Sequence, residues 1–303
     1  MPAESAQPMV VPSSGRLRRP TPIALRDFAV LTKPTITATN VLTFAGGYAL
    51  TSAAPGLELG AGSLGIGLVV ASANAFNMVI EADTDARMAR TRGRPIPSGR
   101  ISRAEGTVLA TALGGLGTGV LSWLNPTTAS IAFLSLVVYA FIYTPMKHAT
   151  PWALLIGALP GAAPPLLGVT AATGRVGVVG LLLFALLFVW QLPHFLAIAL
   201  LAREDYSAGG IPVVSVVCGA RATRTLAFCS SLALVPTGLM LTWLGVAGPE
   251  FGAVSTVMAA GMAAFAAISI HSTTSRSWDR RLFFGSLVYL VAAILTLTVG
   301  ALR

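Results

Sequence analysis

Residues 176–202 read VGVVGLLLFALLFVWQLPHFLAIALLA and contain no Asp, Glu, Lys or Arg. A helix that crosses the hydrocarbon core of a bilayer, about 30 Å thick, needs about 20 mostly apolar residues. This stretch is long enough, and its apolar residues run on without the alternation that is typical of a membrane barrel strand. It therefore predicts a transmembrane helix.

The composition of the whole chain agrees with a membrane protein. Of its 303 residues, 54% are hydrophobic and only 10% are charged, whereas soluble proteins carry about 25% charged residues. So few charges exclude a water-soluble globule, and so much apolar sequence excludes a disordered chain. The two cysteines exclude a disulfide-stapled scaffold.

Other uncharged runs predict eight further helices. The run 106–146 is long enough for two of them, and Asn125-Pro126 near its middle is a turn signal that divides it. The predicted fold is an all-α polytopic membrane protein, with nine transmembrane helices bundled around a central cavity that opens to the cytoplasmic side. The remaining runs are 34–57, 59–80, 149–174, 225–249, 251–270 and 282–302.

The basic residues predict the orientation of this bundle. Cytoplasmic loops of membrane proteins are enriched in Lys and Arg. If the N-terminus is cytoplasmic, every basic residue except Arg175 and Arg303 falls in the N-terminal segment or a cytoplasmic loop. We therefore expect a cytosolic tail at 1–27 and a transmembrane domain at 28–303, and we interpret the net charge of +9 as topology, not as a nucleic-acid surface. A mitochondrial transit peptide is the alternative for the tail.

Acidic residues are rare, and three of them lie together at the end of the second predicted helix. Asn77, Glu81 and Asp85 are spaced four apart, which places them on one helix face, while Asp83 points elsewhere. Oxygen ligands of this kind suit Mg²⁺, which takes few carboxylates together with waters and substrate phosphates. The alternative is that these acids simply end the helix in water.

Arginines follow these acids at once. Arg90 and Arg94 are the two that we single out, because a guanidinium group binds phosphate oxygens through its planar fork. Carboxylates with a divalent cation, surrounded by guanidinium groups, describe a site for a polyanion such as diphosphate. The competing explanation is the positive-inside bias alone.

Two further polar patches are predicted near the same side. Tyr143 and Lys147 close the fourth predicted helix, and Lys147 is either a phosphate-binding cation or an interfacial anchor. Trp190, Gln191 and His194 interrupt an apolar helix, and polar residues at membrane depth usually face the bundle interior. His194 is either a hydrogen-bonded core residue or a substrate contact.

The loop after this helix contains Asp205 and Tyr206. Asp205 is placed at the cytoplasmic mouth of the predicted bundle, where it could join Glu81 and Asp85 across the helices.

Together these motifs resemble a known family. The stretch 77–95, NMVIEADTDARMARTRGRP, is similar to the first acidic motif of the intramembrane prenyltransferases related to the ubiquinone-pathway enzyme, and within them to the heme O synthase subfamily. YTPMK at 143–147 and WQLPHF at 190–195, followed by Asp205-Tyr206, resemble further signatures of that subfamily. The resemblance covers roughly residues 28–301, although the last three helices match only in hydropathy.

The resemblance implies farnesyl transfer from farnesyl diphosphate to a vinyl group of heme B, with water added to give heme O. It also implies a bacterial inner membrane with its lipids, or alternatively a mitochondrial inner membrane, and a heme A synthase as downstream partner. By this reading Asn77, Glu81 and Asp85 are catalytic, and Mg²⁺ is held by Glu81, Asp85 and Asp205. The substrate-binding residues would be Arg90, Arg94, Tyr143, Lys147, Trp190, Gln191, His194, Asp205 and Tyr206.

Two other functions stay open from the sequence. A prenyltransferase acting on a quinone or chlorophyll precursor would use the same chemistry on another acceptor. A cation-coupled transporter would use the acids as an ion path, but transporters usually place such groups near the bilayer midplane. Here the acids lie at helix ends.

Overall fold

A computed structural model describes residues 24–52, 56–272 and 275–301, and the regular structure within these ranges is entirely helical. This confirms the predicted all-α fold. The helices are α1 Leu25–Thr32, α2 Pro34–Ala49, α3 Leu57–Ile80, α4 Ala82–Arg87, α5 Arg103–Leu124, α6 Pro126–Val137, α7 Thr144–Met146, α8 Ala153–Thr173, α9 Val178–Leu201, α10 Arg203–Gly209, α11 Val214–Val217, α12 Gly219–Trp243, α13 Pro249–His271 and α14 Ser275–Ala301.

Within the described residues, eight helical segments are long and apolar enough to cross a membrane. They correspond to eight of the nine predicted helices. The described part of the first predicted span, 34–57, contains the 16-residue helix α2, which is about 24 Å long at 1.5 Å per residue. The count of nine membrane crossings therefore stays a prediction. Most of the predicted tail lies outside the described residues, and its last three residues belong to α1.

The predicted division at Asn125-Pro126 is confirmed. Asn125 caps α6 by accepting a hydrogen bond from the Thr128 backbone N–H at 2.8 Å, and Pro126 begins the helix, where its missing N–H costs nothing. α6 then continues through a π-helical segment, Val138–Tyr143, into the single turn of α7. Such wide turns are frequent at functional sites, and this one ends at a predicted site residue.

The long helices form two packed groups. α3 packs on α5 and α6, while α9, α12, α13 and α14 pack on one another, and α8 lies between the groups with α2 beside it. α4 contacts α10, so the loops after α3 and α9 meet at one end of the bundle. We call this the charged end.

Two cavities bear on the site, and the single central cavity stays a prediction. At the charged end a cavity of about 180 Å³ lies between α8, the end of α9 and the 206–214 segment. A smaller apolar cavity of about 30 Å³ lies between α2, α8, α9 and α14.

Glycine allows α2 and α8 to approach very closely. A Cβ atom on Gly47 would lie 2.1 Å from the Pro165 carbonyl oxygen, and one on Gly168 would lie 2.0 Å from the Phe44 carbonyl oxygen. Both obstacles are backbone atoms, so neither can turn aside. This contact joins α2 to the rest of the bundle.

We expect Gly47→Ala to lower the free energy of unfolding by about 1–3 kcal/mol, the usual cost of overpacking. The neighbouring Gly46 has open space at its Cβ position, so Gly46→Ala is the matched control and should leave stability unchanged or slightly raised, because alanine favours helix. Thermal unfolding of the purified protein in detergent measures both. Equal melting temperatures for the two variants would contradict a tight α2–α8 contact.

Candidate active site

The three residues of the predicted acidic stripe lie buried at the charged end. α3 ends at Ile80, and Glu81 forms the junction with α4. The Asp85 backbone N–H donates to the Glu81 carbonyl at 2.8 Å, so the four-residue spacing is kept across the junction. Asn77, Glu81 and Asp85 are each less than 5% exposed, which excludes the interpretation that these acids end a helix in water.

Each buried carboxylate is paired with a cation from another part of the chain. Lys147 Nζ lies 2.5 Å from Glu81 Oε1, and Arg94 Nη1 lies 2.6 Å from Asp85 Oδ2. The Thr91 hydroxyl donates to the Asp85 carbonyl at 2.9 Å, and this bond holds the start of the loop between α4 and α5, which carries Arg94, against the end of α4. The predicted cations Arg94 and Lys147 thus lie beside the predicted acids.

Lys147 is outside the apolar span that precedes it. Burial disfavours its charged ammonium, but Tyr143, the Glu81 carboxylate and Tyr206 together outweigh burial and raise the pKa of Lys147 above its ordinary value. Lys147 is therefore a fixed positive charge at neutral pH.

One carboxylate oxygen in this group lacks a hydrogen bond. It is Asp85 Oδ1, whereas Glu81 Oε1 lies 2.5 Å from the Lys147 ammonium, at hydrogen-bond distance. A buried oxygen without a hydrogen-bond donor is unusual in proteins, and a carboxylate oxygen of this kind fits a hard cation such as Mg²⁺. Among the described residues, no three His, Cys, Asp or Glu side chains lie close enough together to hold a metal ion.

Asp205 lies apart from this pair. Its nearest cation is Arg90, whose Nε is 3.7 Å from Asp205 Oδ2, and both side chains are partly exposed. Arg90 follows α4 and Asp205 lies in α10, so this ion pair links the first acidic motif to the loop after α9. The role of Asp205 as a third metal ligand stays a prediction.

Lys33 is a site residue that the sequence analysis did not single out. It joins α1 to α2 with φ 46°, a left-handed conformation that is unusual for a residue other than glycine. Its Nζ donates to Asn77 Oδ1 at 3.3 Å. Burial, then the nearby charges of Arg94 and Lys147, lower the pKa of Lys33 to about 8. A lysine directly before Pro34 at a helix start was the available signal.

Asn77 is hydrogen-bonded at both ends of its amide. Besides accepting from Lys33, it donates through Nδ2 to Thr144 Oγ1 at 3.3 Å, and Thr144 donates to the Tyr139 carbonyl. Asn77 therefore connects α3 to the start of α2 and to the π-helical segment. This position explains why an amide stands inside an otherwise apolar helix.

The larger cavity lies next to these charges. Tyr143, Lys147 and Tyr206 contribute to its walls, together with apolar residues of α8 and α9. Lys147 therefore contacts Glu81 and also borders the cavity.

The residues of the third predicted patch form a separate cluster. Trp190 donates through Nε1 to the Ser286 carbonyl at 2.7 Å, and His194 Nδ1 lies 2.8 Å from Ser286 Oγ. Gln191 donates to the Ala158 carbonyl of α8 at 3.3 Å. All three are hydrogen-bonded between α8, α9 and α14.

The fold and the buried acid–cation group are those of an intramembrane prenyltransferase. The chain belongs to the UbiA prenyltransferase family, whose model matches residues 40–288. This confirms the family predicted from the motifs.

The chain is similar over its whole length to a protein named protoheme IX farnesyltransferase from Anaeromyxobacter sp. strain Fw109-5. The two are 42% identical over 299 residues, which are 97% of this chain and all of that protein. Among solved structures, one described as digeranylgeranylglyceryl phosphate synthase has a TM-score of 0.76 at 16% identity, covering 91% of this chain and 98% of that one. A UbiA homologue from Archaeoglobus fulgidus bound to DMAPP and Mg²⁺ has a TM-score of 0.69 at 15% identity, covering 90% and 99%. The structural likenesses show the shared fold.

Titration of Lys33 should make stability depend on pH. Between its folded pKa of about 8 and its ordinary value of 10.5, the unfolded chain holds a proton that the folded chain has lost. The free energy of unfolding therefore rises with pH across this window, by on the order of 2–3 kcal/mol for such a shift.

Melting temperatures in detergent at pH 7.5 and pH 10 measure this effect. Lys33→Met should lose the part of the rise that Lys33 causes, and Lys33→Arg, which stays charged throughout, should lose it as well. A rise as large as that of the unmodified protein in both variants would refute the assignment.

Proposed function

We propose that this chain transfers a farnesyl group from farnesyl diphosphate to a vinyl group of heme B, and that water adds to give heme O. The observation that carries the transfer chemistry is the pair of buried carboxylates, Glu81 and Asp85, each beside a cation from another part of the chain. The heme acceptor rests on whole-length similarity to a protein named protoheme IX farnesyltransferase.

Diphosphate binds to the cations of the charged end. Arg94 and Lys147 are already held by Asp85 and Glu81, so they are positioned before the substrate arrives. Lys33 adds a third charge beside them, and Arg90 a fourth at the rim. Fixed cations stabilise the negative charge that develops as diphosphate leaves.

Glu81 and Asp85 would hold Mg²⁺, which as a Lewis acid neutralises the leaving diphosphate. The Asp85 oxygen without a hydrogen bond supports this role, as does the presence of Mg²⁺ with DMAPP in the A. fulgidus homologue. Asn77 holds the end of α3 in position through its hydrogen bonds with Lys33 and Thr144. Asp205 would approach from the α10 side as a further oxygen ligand.

The bundle interior protects the reactive carbon. As the carbon–oxygen bond to diphosphate breaks, the bonding electrons leave with the oxygen, and the allylic cation needs surroundings free of water. Tyr143 and Tyr206 line the larger cavity together with apolar residues of α8 and α9. The vinyl carbon of heme then bonds to the allylic carbon, and water supplies a hydroxyl group to the neighbouring carbon and releases a proton.

Trp190, Gln191 and His194 would orient the porphyrin. They lie on α9, whose final turns line the larger cavity. The charged end would face the cytoplasm of a bacterial inner membrane, with residues 28–303 as the membrane domain and 1–27 as a cytosolic tail. A mitochondrial inner membrane is the alternative, and in either membrane a heme A synthase would consume the product.

One incubation tests the reaction. Purified protein with heme B, farnesyl diphosphate and Mg²⁺ should yield a heme adduct heavier by farnesyl plus water in mass spectrometry, and removal of Mg²⁺ with a chelator should abolish it. A parallel incubation replaces heme with a quinone precursor. If only the incubation with the quinone precursor gives a prenylated product, heme is not the acceptor, although the proposal of prenyl transfer still holds.

Asp85→Asn should lower the rate of adduct formation by at least about 10²-fold, because electrostatic stabilisation of this kind is worth that much. Asp83 is the matched control, since its side chain is 82% exposed and pairs with Arg103. Asp83→Asn should keep nearly full activity, and initial rates measured by mass spectrometry compare the two. Full activity of Asp85→Asn would contradict the proposed metal–diphosphate site.

A further inference from the structure

The imidazole of His194 is fixed in orientation by three contacts. Its ring stacks against the rings of Trp190 and Phe283, with centroid distances of 5.1 Å in both cases and interplanar angles of 19° and 26°. Its Nδ1 lies 2.8 Å from Ser286 Oγ. These contacts engage the ring and one nitrogen, and Nε2 is the nitrogen that remains for another partner.

The hydrogen bonds of Ser286 determine the tautomer of His194. A serine hydroxyl has one hydrogen, and that of Ser286 is donated to the Phe283 carbonyl at 2.6 Å. Ser286 Oγ must therefore accept from His194, so the proton lies on Nδ1. Neutral imidazole carries only one N–H, which leaves a lone pair on Nε2.

Helix periodicity places His194 on the same face of α9 as residues that line the two cavities. On α9, Leu187 lines the smaller cavity and Ile198 lines the larger one. His194 is seven residues after the first and four before the second, spacings that keep all three on one helix face. On α14, Phe283 is likewise seven residues before Leu290, which lines the smaller cavity. The stacked pair thus belongs to the inward faces of both helices.

We propose that Nε2 of His194 is an axial ligand of the iron of the heme substrate, and that Ser286 is the positioning residue that keeps the imidazole in the Nδ1–H tautomer. This inference rests on the proposed function, because it requires a heme acceptor. Neutral imidazole is a common metal ligand, and haem iron is often held by histidine. Metal-binding histidines almost always donate their other N–H to an oxygen acceptor, as His194 does here.

Ligation of the iron would do more than add affinity. An axial bond fixes the porphyrin plane relative to α9 and leaves only rotation about that bond to choose which vinyl group faces the farnesyl donor. The stacked rings of Trp190 and Phe283 restrict rotation of the imidazole itself. Residues of α9 and α14 would therefore orient the heme acceptor, whereas the charged residues at the other site would act on diphosphate.

The test adds ferric heme B to the full-length protein in detergent, without farnesyl diphosphate, and records absorption and electron paramagnetic resonance spectra. The unmodified protein should show a histidine-ligated heme, and His194→Ala should lose that signature and regain it when free imidazole is added. His271→Ala is the control, because that imidazole lies exposed at the end of α13, and its spectrum should be unchanged. Rescue by imidazole shows that the variant is folded.

Ser286→Ala separates positioning from simple packing. Loss of such a hydrogen-bond partner typically weakens metal binding by about 10- to 100-fold, and we expect that range for heme affinity measured by titration. Ser231→Ala is the matched control, since it removes an equally buried hydroxyl that bonds only within α12. Its heme affinity should not change.

Three results would overturn the proposal. They are a histidine-ligated spectrum that persists in His194→Ala, heme bound by that variant without any response to imidazole, and equal affinities for the Ser286 and Ser231 variants. Each of them leaves the reaction itself intact if the unmodified protein still forms the farnesyl–heme adduct. Absence of that adduct, or of any heme binding, in the unmodified protein overturns the proposed function together with this inference.

Discussion

The packing of this protein depends on two ion pairs at the charged end of the bundle, Glu81 with Lys147 and Asp85 with Arg94. An isolated carboxylate buried away from water carries a desolvation penalty of several kcal/mol, so Glu81 and Asp85 can be buried only if cations accompany them. Lys147 directly follows α7, at the end of the continuous helical segment that begins with α6, and Arg94 lies in the loop after α4. The ends of separate helices must therefore meet at one place, and the packing of the bundle has to bring them there.

These pairs also determine what the site can accept. Both cations are already neutralised by carboxylates, and Lys33 adds a further positive charge that burial disfavours. A polyanion bound to a divalent cation carries both signs of charge. Its negative groups can contact the basic side chains of the site, and its metal ion can contact the carboxylates. A lone anion would be repelled by the acids, and a lone divalent cation would meet three basic side chains. The charge pattern thus favours a metal–diphosphate complex over either component alone.

The sequence predicted what depends on local pattern. Eight spans follow from uncharged run length, the break at Asn125 from turn chemistry, and the acid group from its four-residue spacing. Lys33 was missed because its importance arises only when the turn between α1 and α2 brings it to Asn77, 44 residues away.

Contacts between residues far apart in the chain were also missed in the group of α9, α12, α13 and α14. The proton position on His194 depends on Ser286, 92 residues away on α14, and the last three helices carry no motif that would indicate this contact. The sequence likewise did not indicate which side chains of α8 and α9 border the two cavities described above. Packing between side chains that are far apart in the sequence cannot be predicted from the hydropathy pattern.

The short helix α2 has a consequence for the surrounding lipid. At about 24 Å its helical length falls short of an average hydrocarbon core by roughly 6 Å, and Ile36 and Leu42 on its surface are about half exposed. A helix shorter than the bilayer is accommodated by local thinning or by flanking residues that reach to the interface. Hydrophobic mismatch would therefore be concentrated along the flank of the bundle that begins at Lys33.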